Sequence, residues 1–334
     1  MGHLRAGLIG LGMMGRNHAR VLKSLEGVDL VAVADPAGDP HGVAGELAVK
    51  SSIEELIAAG LDYCMVAVPT VHHEQVGLAL AEAGVHALIE KPLAQDTQAA
   101  LRIADAFARA GLIGAVGHIE RYNPALRSAR ERLANGDLGH VFQVVTRRQG
   151  PFPARIADVG VVKDLATHDI DLTSWVTQQP YVSVSARTAF KSGREHEDLI
   201  AVVGSLADGT VTSHLVNWLS PLKERVTIIT GERGALVADT LTADLTFYAN
   251  GLVPTSWDEV AQFRGVSEGD MVRFAVPKPE PLRVEHENFR DAILGRDADI
   301  VTLTQGLTTV RVAEAMIESA NTGNTVIIDP SPAL

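Results

Sequence analysis

The segment ALIEKPLAQD, residues 87–96, places a charged pair directly after an apolar run. Residues 87–89 are typical of the end of a buried strand, Glu90 and Lys91 follow, and Pro92 restricts Lys91 to an extended backbone. Burying a lone ammonium is costly, so a rigid lysine at this place indicates chemistry more than packing. A fixed ammonium stabilises the negative charge that develops on an alcohol oxygen when a hydride leaves its carbon. The alternative is an ordinary lysine at a strand end.

A second unusual stretch is DLATHDIDLTSW, residues 164–175. On an α-helix, Asp164, His168 and Asp171 share one face at steps of four and three residues. A histidine with carboxylates one turn away is a tunable proton acceptor, because a carboxylate fixes the tautomer and stabilises the imidazolium. Three interpretations stay open: a general base, a solvated helix face with incidental charges, and a metal site formed by these three residues.

A glycine-rich sequence, GLGMMG at residues 10–15, lies between an apolar run at residues 4–9 and a helical pattern. Gly10 allows the tight turn, Gly12 lets backbone N–H groups approach a pyrophosphate, and Gly15 lets the helix pack closely on the strand. Asp35 ends the next strand at the spacing of a ribose-binding carboxylate, which would repel a 2′-phosphate. We therefore predict NAD rather than NADP; the alternative is a structural turn with a surface aspartate.

These residues need a scaffold that brings strand ends together, and the first third of the chain predicts one. Apolar runs alternate with helical patterns, which is typical of a doubly wound parallel sheet. The predicted strands are residues 4–9, 28–35, 61–68, 86–90 and 112–118. In such sheets ligands bind beyond the carboxyl ends of the strands, where Lys91 would lie. We place this domain at residues 1–120.

The pattern changes after His118. Short strand-like runs separated by turn sequences predict an open, mostly antiparallel sheet with helices on one face, in a domain of residues 121–334. The predicted helices are 123–134, 162–176, 283–294 and 304–321, followed by a short strand in TVIID. The region 250–280 is predicted to be an irregular loop.

Composition restricts the classes of function. A chain of 334 residues suggests two domains, and a net charge of −12 makes nucleic acid an unfavourable partner. Cys64 is the only cysteine, so the chain forms no internal disulfide, a zinc-thiolate site is disfavoured, and a packed core thiol is expected. Neither a signal peptide nor a membrane span is recognisable, and we expect a cytoplasmic protein.

Four ordered motifs together resemble the glucose–fructose oxidoreductase/inositol dehydrogenase/MocA (Gfo/Idh/MocA) family. They are GLGMMG, VPTVHH at 68–73, EKP at 90–92, and the Asp-x-x-x-His-x-x-Asp helix. The resemblance implies a Rossmann domain followed by an open antiparallel sheet that often forms an oligomer interface, so a homo-oligomer is expected. It also implies oxidation of a sugar or cyclitol hydroxyl, or reduction of the ketone, with NAD(P).

The resemblance implies roles for particular residues. Lys91 would bond to the reacting oxygen, His168 would accept or donate the proton, and Asp164 would complete the catalytic set. Asp171 would be supportive, and many relatives have asparagine where this chain has Thr70. The predicted cofactor-binding residues are Gly10, Gly12, Met13, Met14, Gly15, Asp35, Pro69, Thr70, His73, Glu90 and Lys91. His73 could equally cap a helix.

Segments 117–124 and 150–171 look closest to a branch of the family that oxidises the carbon-3 hydroxyl of UDP-N-acetylglucosamine. A diphosphate needs cations, and the candidates are Arg121, Arg147, Arg148 and Arg155, any of which could instead be a solvated surface charge. The predicted substrate-binding residues are Lys91, Arg121, Tyr122, Arg155, Asp164 and His168. The alternatives are an inositol or free-sugar dehydrogenase, a ketosugar reductase, and a non-catalytic NAD-binding sensor.

Overall fold

A computed structural model describes residues 3–153, 159–251 and 267–330. Its residue contacts divide the chain into two units. The first unit contains the residues up to 119 together with 280–314, and the second contains 120–279 together with 315–330. Two late helical segments therefore belong wholly or partly to the amino-terminal unit.

The helices begin and end close to the predicted bounds. In chain order they are α1 (Met13–Leu22), α2 (Ile53–Ile57), α3 (His73–Glu82), α4 (Thr97–Ala110), α5 (Pro124–Ala134), α6 (Thr167–Thr177), α7 (Pro281–Ile293) and α8 (Leu303–Thr322). Local sequence explains several ends: Asp96 caps α4 by accepting the N–H of Ala99, and Gly111 ends that helix in the left-handed conformation. Asn123 caps α5, whose first residue is a proline.

The strands form two separate sheets. In chain order they are β1 (Leu4–Ile9), β2 (Val28–Ala34), β3 (Val49–Lys50), β4 (Tyr63–Val66), β5 (His86–Glu90), β6 (Gly114–Gly117), β7 (Val141–Pro151), β8 (Tyr181–Ala189), β9 (Leu199–Leu206), β10 (Val211–Asn217), β11 (Leu219–Gly231), β12 (Gly234–Asp239), β13 (Asp244–Gly251), β14 (Ser267–Arg273) and β15 (Val326–Ile327).

The sheet of the first unit has, among the described residues, six parallel strands in the order β3-β2-β1-β4-β5-β6. This is the predicted doubly wound sheet, and the prediction is confirmed. Apolar side chains cover both faces, with Val66, Ile89 and Val116 in one core cluster and Leu8, Met65 and Leu88 in the other. The two-residue strand β3 is too short to leave a recognisable pattern in the sequence.

The described part of the second unit forms a nine-stranded sheet in the order β14-β13-β12-β11-β7-β10-β9-β8-β15. Its neighbouring strands are antiparallel except β10 and β7, which are parallel, so the predicted mostly antiparallel sheet is confirmed. Helices α5 and α6 pack on the sheet through a cluster that includes Leu126, Leu172, Val176, Ile229 and Leu236. Burial of these aliphatic groups places α6 on the sheet.

The prediction of an irregular loop over 250–280 is wrong in part. Residues 267–273 form β14, which pairs with β13 from Thr246 to Gly251. The sequence SEGDMVR has little apolar content, so the strand is held by its partner rather than by a recognisable hydrophobic pattern. Residues 252–266 lie outside the described part of the chain. Among the described helices, none has the length and apolar character that crossing a membrane requires.

Candidate active site

The glycine-rich turn after β1 is held closed by its own backbone. Gly10 has φ of +94°, a conformation that other residues rarely adopt. A Cβ on Gly15 would lie 1.9 Å from the carbonyl oxygen of Gly10, so only glycine allows α1 to start this close to the strand. A Cβ on Gly12, by contrast, would meet no described heavy atom within 4 Å. The outer side of the turn therefore has free space at Gly12.

That space fits the pyrophosphate of a dinucleotide. Helix α1 begins at Met13, its N-cap Gly12 offers no capping side chain, and its first turn holds no acidic residue. The first N–H groups of a helix have no partner within it and attract an anion, here those of Met13, Met14 and Gly15. The predicted pyrophosphate-binding residues are thus brought together by one turn.

Asp35 lies just beyond β2 and braces the turn. One carboxylate oxygen accepts the N–H of Leu11 at 2.8 Å, and the other accepts the N–H of Ala37 at 2.8 Å. These bonds fix the carboxylate beside the glycine-rich turn, while each oxygen keeps a further lone pair for a ribose hydroxyl. The geometry suits a 2′-hydroxyl and disfavours a 2′-phosphate.

Lys91 follows β5 at the carboxyl edge of the parallel sheet, where Glu90 pairs with Gly117 of β6. The Lys91–Pro92 peptide bond is cis. The N–H of Lys91 donates to Oε2 of Glu90 at 3.1 Å, so the carboxylate lies against the lysine's own backbone. Lys91 is partly buried and Pro92 is buried. The sheet thus positions Lys91 at the edge where ligands bind in this fold.

His73, at the start of α3, joins the segment after β4 to the segment after β5. Its Nδ1 lies 2.9 Å from the carbonyl oxygen of Pro92, and its Nε2 lies 3.0 Å from that of Val68. Burial lowers the pKa of His73 despite these carbonyl contacts. Thr70 is buried and Pro69 exposed in the same segment. His73 thus links the segment that carries Lys91 to the start of α3, and its part in cofactor binding stays a prediction.

In the second unit, Asp164 lies in a single π-helical turn, Val162–Ala166, and His168 lies in the first turn of α6. A π turn departs from the regular α-helix that the spacing suggested, and such turns are frequent at functional sites. Asp164 and His168 are 4% and 8% exposed, and Asp171 is 2% exposed. This burial contradicts the interpretation as a solvated helix face. Among the described residues, no group of three His, Cys, Asp or Glu side chains is arranged to hold a metal.

Two of the arginines that were predicted to bind a diphosphate form buried ion pairs in the second unit. Arg121 makes a two-point contact with Asp171, through Nε to Oδ2 at 2.8 Å and Nη2 to Oδ1 at 2.6 Å. Arg148 contacts Asp169 at 3.0 Å and Glu120 at 2.8 Å. Burial alone would lower the pKa of Arg148, but the two carboxylates outweigh it and raise the pKa. An anionic substrate would have to compete with these carboxylates for either guanidinium.

The other predicted substrate residues are placed differently. Arg147 is half exposed and lies 2.7 Å from Glu224, and Tyr122 is buried in a 3₁₀ turn. Arg155 lies outside the described residues. Arg147 is therefore the most accessible of the described candidate cations.

Comparison with protein-family models matches both units. Residues 4–118 match the model described as an oxidoreductase family with an NAD-binding Rossmann fold, and residues 126–237 match the GFO/IDH/MocA C-terminal domain. The chain belongs to the Gfo/Idh/MocA oxidoreductase family. This confirms the predicted fold class, the NAD cofactor and the prediction of an NAD-dependent dehydrogenase.

The individual relatives include two kinds of dehydrogenase. The chain is 32% identical to UDP-N-acetylglucosamine 3-dehydrogenase of Acidithiobacillus ferrooxidans over 63% of its own length and 66% of the relative's, slightly under two thirds. It is 31% identical to myo-inositol dehydrogenase Hyg17 of Streptomyces leeuwenhoekii over 77% of its own length and 81% of the relative's. A solved structure of the Acidithiobacillus enzyme covers 96% of this chain and 99% of its own, with a TM-score of 0.81 and 26% identity.

Sequence reasoning about the family motifs did not single out three buried polar residues next to the lysine segment. His18 of α1 contacts both Glu90 and His286 of α7, and Glu285 precedes His286. All three are 1% exposed or less. A histidine on the apolar stripe of the helix after GxGxxG was the visible signal for His18. The pair at 285 and 286 lies about 270 residues further along the chain and gave no local signal.

Proposed function

We propose that the protein oxidises a secondary hydroxyl of a nucleotide sugar, at carbon 3 of UDP-N-acetylglucosamine or a close analogue. Lys91 carries this proposal, because it follows β5 at the carboxyl edge of the sheet. The glycine turn and Asp35 lie at the ends of other strands of that sheet. The identity of 32% with UDP-N-acetylglucosamine 3-dehydrogenase supports the choice of substrate.

In this proposal Lys91 donates a hydrogen bond to the reacting oxygen and stabilises its developing negative charge. His168 accepts the hydroxyl proton, and Asp164 orients and supports the imidazole. When bound, NAD supplies the acceptor for the hydride that leaves the carbinol carbon. The products are the ketone, the reduced cofactor and one proton held by His168.

The side chains of the second unit would select the substrate. Arg147 is an unfavourable ligand for a diphosphate. Successive strand residues point to opposite faces of the sheet and Arg148 faces α6, so Arg147 and its partner Glu224 lie on the face away from the helix that carries His168. Arg155 stays a prediction. Arg121 and Tyr122 would act mainly by shaping the wall on which the substrate rests, since both are buried.

An inositol dehydrogenase is the second candidate, and it is favoured by the match to the myo-inositol enzyme over 77% of this chain. Inositols carry no diphosphate, so no cation for a diphosphate would then be needed. A ketosugar reductase uses the same residues in the opposite direction. A non-catalytic sensor is disfavoured, because the lysine and the histidine of the motifs are both present.

The deciding experiment follows absorbance at 340 nm with NAD, then NADP, against UDP-sugars, inositols and free hexoses, in both directions. We expect turnover with UDP-N-acetylglucosamine and NAD, and a loss of at least about a hundredfold in Lys91→Ala and His168→Ala. Turnover with myo-inositol alone would replace the proposed substrate by the second candidate. Normal turnover by Lys91→Ala would disprove the proposed mechanism.

A further inference from the structure

A line of buried hydrogen bonds in the first unit ends at the backbone of Lys91. Nε2 of His286 lies 2.9 Å from Nδ1 of His18, and Nε2 of His18 lies 2.8 Å from Oε1 of Glu90. The other carboxylate oxygen of Glu90 accepts the N–H of Lys91 at 3.1 Å. Three elements contribute, α7, α1 and the end of β5. None of the catalytic steps proposed above uses either histidine.

The hydrogens of this line can be assigned from the contacts. Glu90 accepts from His18, so Nε2 of His18 carries a hydrogen. Nδ1 of His286 has no hydrogen-bond partner among the described residues. A buried N–H without an acceptor is rare, so the better assignment has His286 donating through Nε2 to Nδ1 of His18. Donation then runs in one direction, from His286 through His18 to Glu90.

The two carboxyl groups of this region are driven to opposite charge states. Burial alone would raise the pKa of Glu90, but the hydrogen bond from His18 and the charge of Lys91 hold the pKa below its usual value. Burial, together with the charge of Glu90, raises the pKa of Glu285 well above its usual value. Burial and the neighbouring His18 lower the pKa of His286 well below its usual value. These directions favour an ionised Glu90, a protonated Glu285 and a neutral His286.

The titratable groups around Glu90 come from three helices and from the next residue in the chain, whereas β6 pairs with Glu90 through a glycine, Gly117. They are His18 of α1, His73 of α3, Lys91 next to it in the chain, and Glu285 and His286 of α7. A buried polar cluster is a costly way to fasten α1 to α7, since apolar side chains of similar volume would do so without desolvating charge. The cluster instead maintains one negative charge beside the lysine.

We propose that His18 and His286 are positioning residues of the reaction, which act through Glu90 by keeping its carboxylate ionised and oriented beside Lys91. The proposal rests on the role of Lys91 proposed above. For ketone reduction, in which His168 must be protonated, it predicts that activity is lost in acid when Glu90 takes up a proton, and that His18 sets the pH at which this happens.

The test measures kcat/KM against pH for reduction of the ketone product with NADH, because in that direction His168 must be protonated and its protonation does not cause the acid limb. His18→Phe keeps a ring of similar size and removes the donor, so we expect the acid limb to move up by about one pH unit. His18→Gln can again donate to Glu90 and should restore the limb at least partly. Glu285→Gln is the matched control: it mimics the protonated acid, and it should leave the limb unchanged. His286→Phe should move the limb in the same direction as His18→Phe, but less.

Two further measurements separate positioning from a structural role. In the Glu90→Gln background, His18→Phe should change kcat by less than about twofold, because its effect passes through Glu90. The dissociation constant for NAD, from fluorescence titration, should change by less than about threefold in His18→Phe. An unchanged acid limb in folded His18→Phe and His286→Phe proteins would overturn the proposal, and so would additive losses with Glu90→Gln.

A measurement on the wild-type protein keeps the proposal testable if the variants fail to fold. In wild-type protein labelled with ¹⁵N-histidine, we expect His18 to carry its hydrogen on Nε2; a hydrogen on Nδ1 alone would overturn the assignment. Lys91→Ala distinguishes a failure of the proposed function from a failure of the role proposed for His18 and His286. Normal turnover by Lys91→Ala would refute the proposed function, whereas inactive Lys91→Ala with an unshifted His18→Phe would refute only the role of the histidines.

Discussion

Arg148 of β7 and Asp169 of α6 form an ion pair in the interior of the second unit. Nε of the arginine lies 3.0 Å from Oδ2 of the aspartate, and the two side chains are 3% and 2% exposed. Nη1 of the same arginine lies 2.8 Å from Oε1 of Glu120. Asp169 follows His168 directly, so this pair fixes the helix turn that carries the proposed base against the sheet.

Arg148→Met should destabilise the protein by about 3–5 kcal/mol, because it leaves two buried carboxylates without their main counter-charge. The measurement is urea denaturation at pH 7. Arg148→Met/Asp169→Asn should recover part of the loss, since one of the two uncompensated charges is gone. Arg102→Met is the control: Arg102 pairs with Glu74 on the surface, and its loss should cost less than about 1 kcal/mol. Equal losses in the two single variants would contradict this assignment.

Gly12→Ala should weaken NAD binding without affecting the fold. An added Cβ meets no described heavy atom within 4 Å, so the melting temperature should stay within about 2 °C of wild type. The same Cβ occupies the space proposed for the pyrophosphate, so the dissociation constant for NAD should rise at least about tenfold. Fluorescence titration and a thermal melt give the two values.

Gly15→Ala is the comparison for Gly12→Ala. Its Cβ would lie 1.9 Å from the carbonyl oxygen of Gly10, so stability and NAD affinity should fall together. If Gly12→Ala bound NAD as tightly as wild type, the pyrophosphate would have to lie elsewhere.

Asp35→Ser should reduce the preference for NAD over NADP. The substitution removes the negative charge that repels a 2′-phosphate and the acceptors for the ribose hydroxyls. We expect NAD to bind about tenfold more weakly and NADP to bind no more weakly than to wild type. Because Asp35 also accepts the N–H groups of Leu11 and Ala37, a melt must show that the turn is intact. An unchanged ratio of the two affinities would show that other residues select the cofactor.

Much of the first unit was predictable because its determinants are local. The glycine turn, Asp35 and the lysine segment each follow a strand that its own apolar run reveals, and parallel pairing brings their ends to one edge. In the second unit, the helical segment that carries Asp164 and His168 was predicted from its spacing and from the family motifs.

The features that were not predictable depend on distant parts of the chain. His286 contacts His18, which lies 268 residues earlier in the chain, and Arg148 contacts Glu120, which lies 28 residues earlier. The spacing of 164, 168 and 171 indicated one helical face, but not that the face is buried or that a π turn precedes α6. Strand β14 is polar in sequence and is specified by pairing with β13. Such contacts are set by tertiary packing, and single-sequence patterns do not encode them visibly.

His214 makes the second unit less stable in mild acid. Its Nδ1 lies 2.7 Å from Oγ1 of Thr146 and its Nε2 lies 2.7 Å from the hydroxyl of Tyr181. Burial lowers the pKa of His214 to about 4 in the folded protein, whereas an unfolded histidine has a pKa of about 6.5. Between these values the unfolded state binds more protons, so the free energy of unfolding decreases as the pH falls from about 6.5 to about 4.

The expected contribution of His214 is about 3 kcal/mol between pH 7 and pH 4, from a difference of about 2.5 pKa units. His214→Gln keeps a polar side chain but cannot titrate in this range, so its stability should depend less steeply on pH. Urea denaturation at steps from pH 7 to pH 4.5 measures both proteins. If His214 stays neutral in the folded protein, the two curves of unfolding free energy against pH must diverge as the pH falls. Parallel curves would show that His214 does not cause the loss of stability in acid.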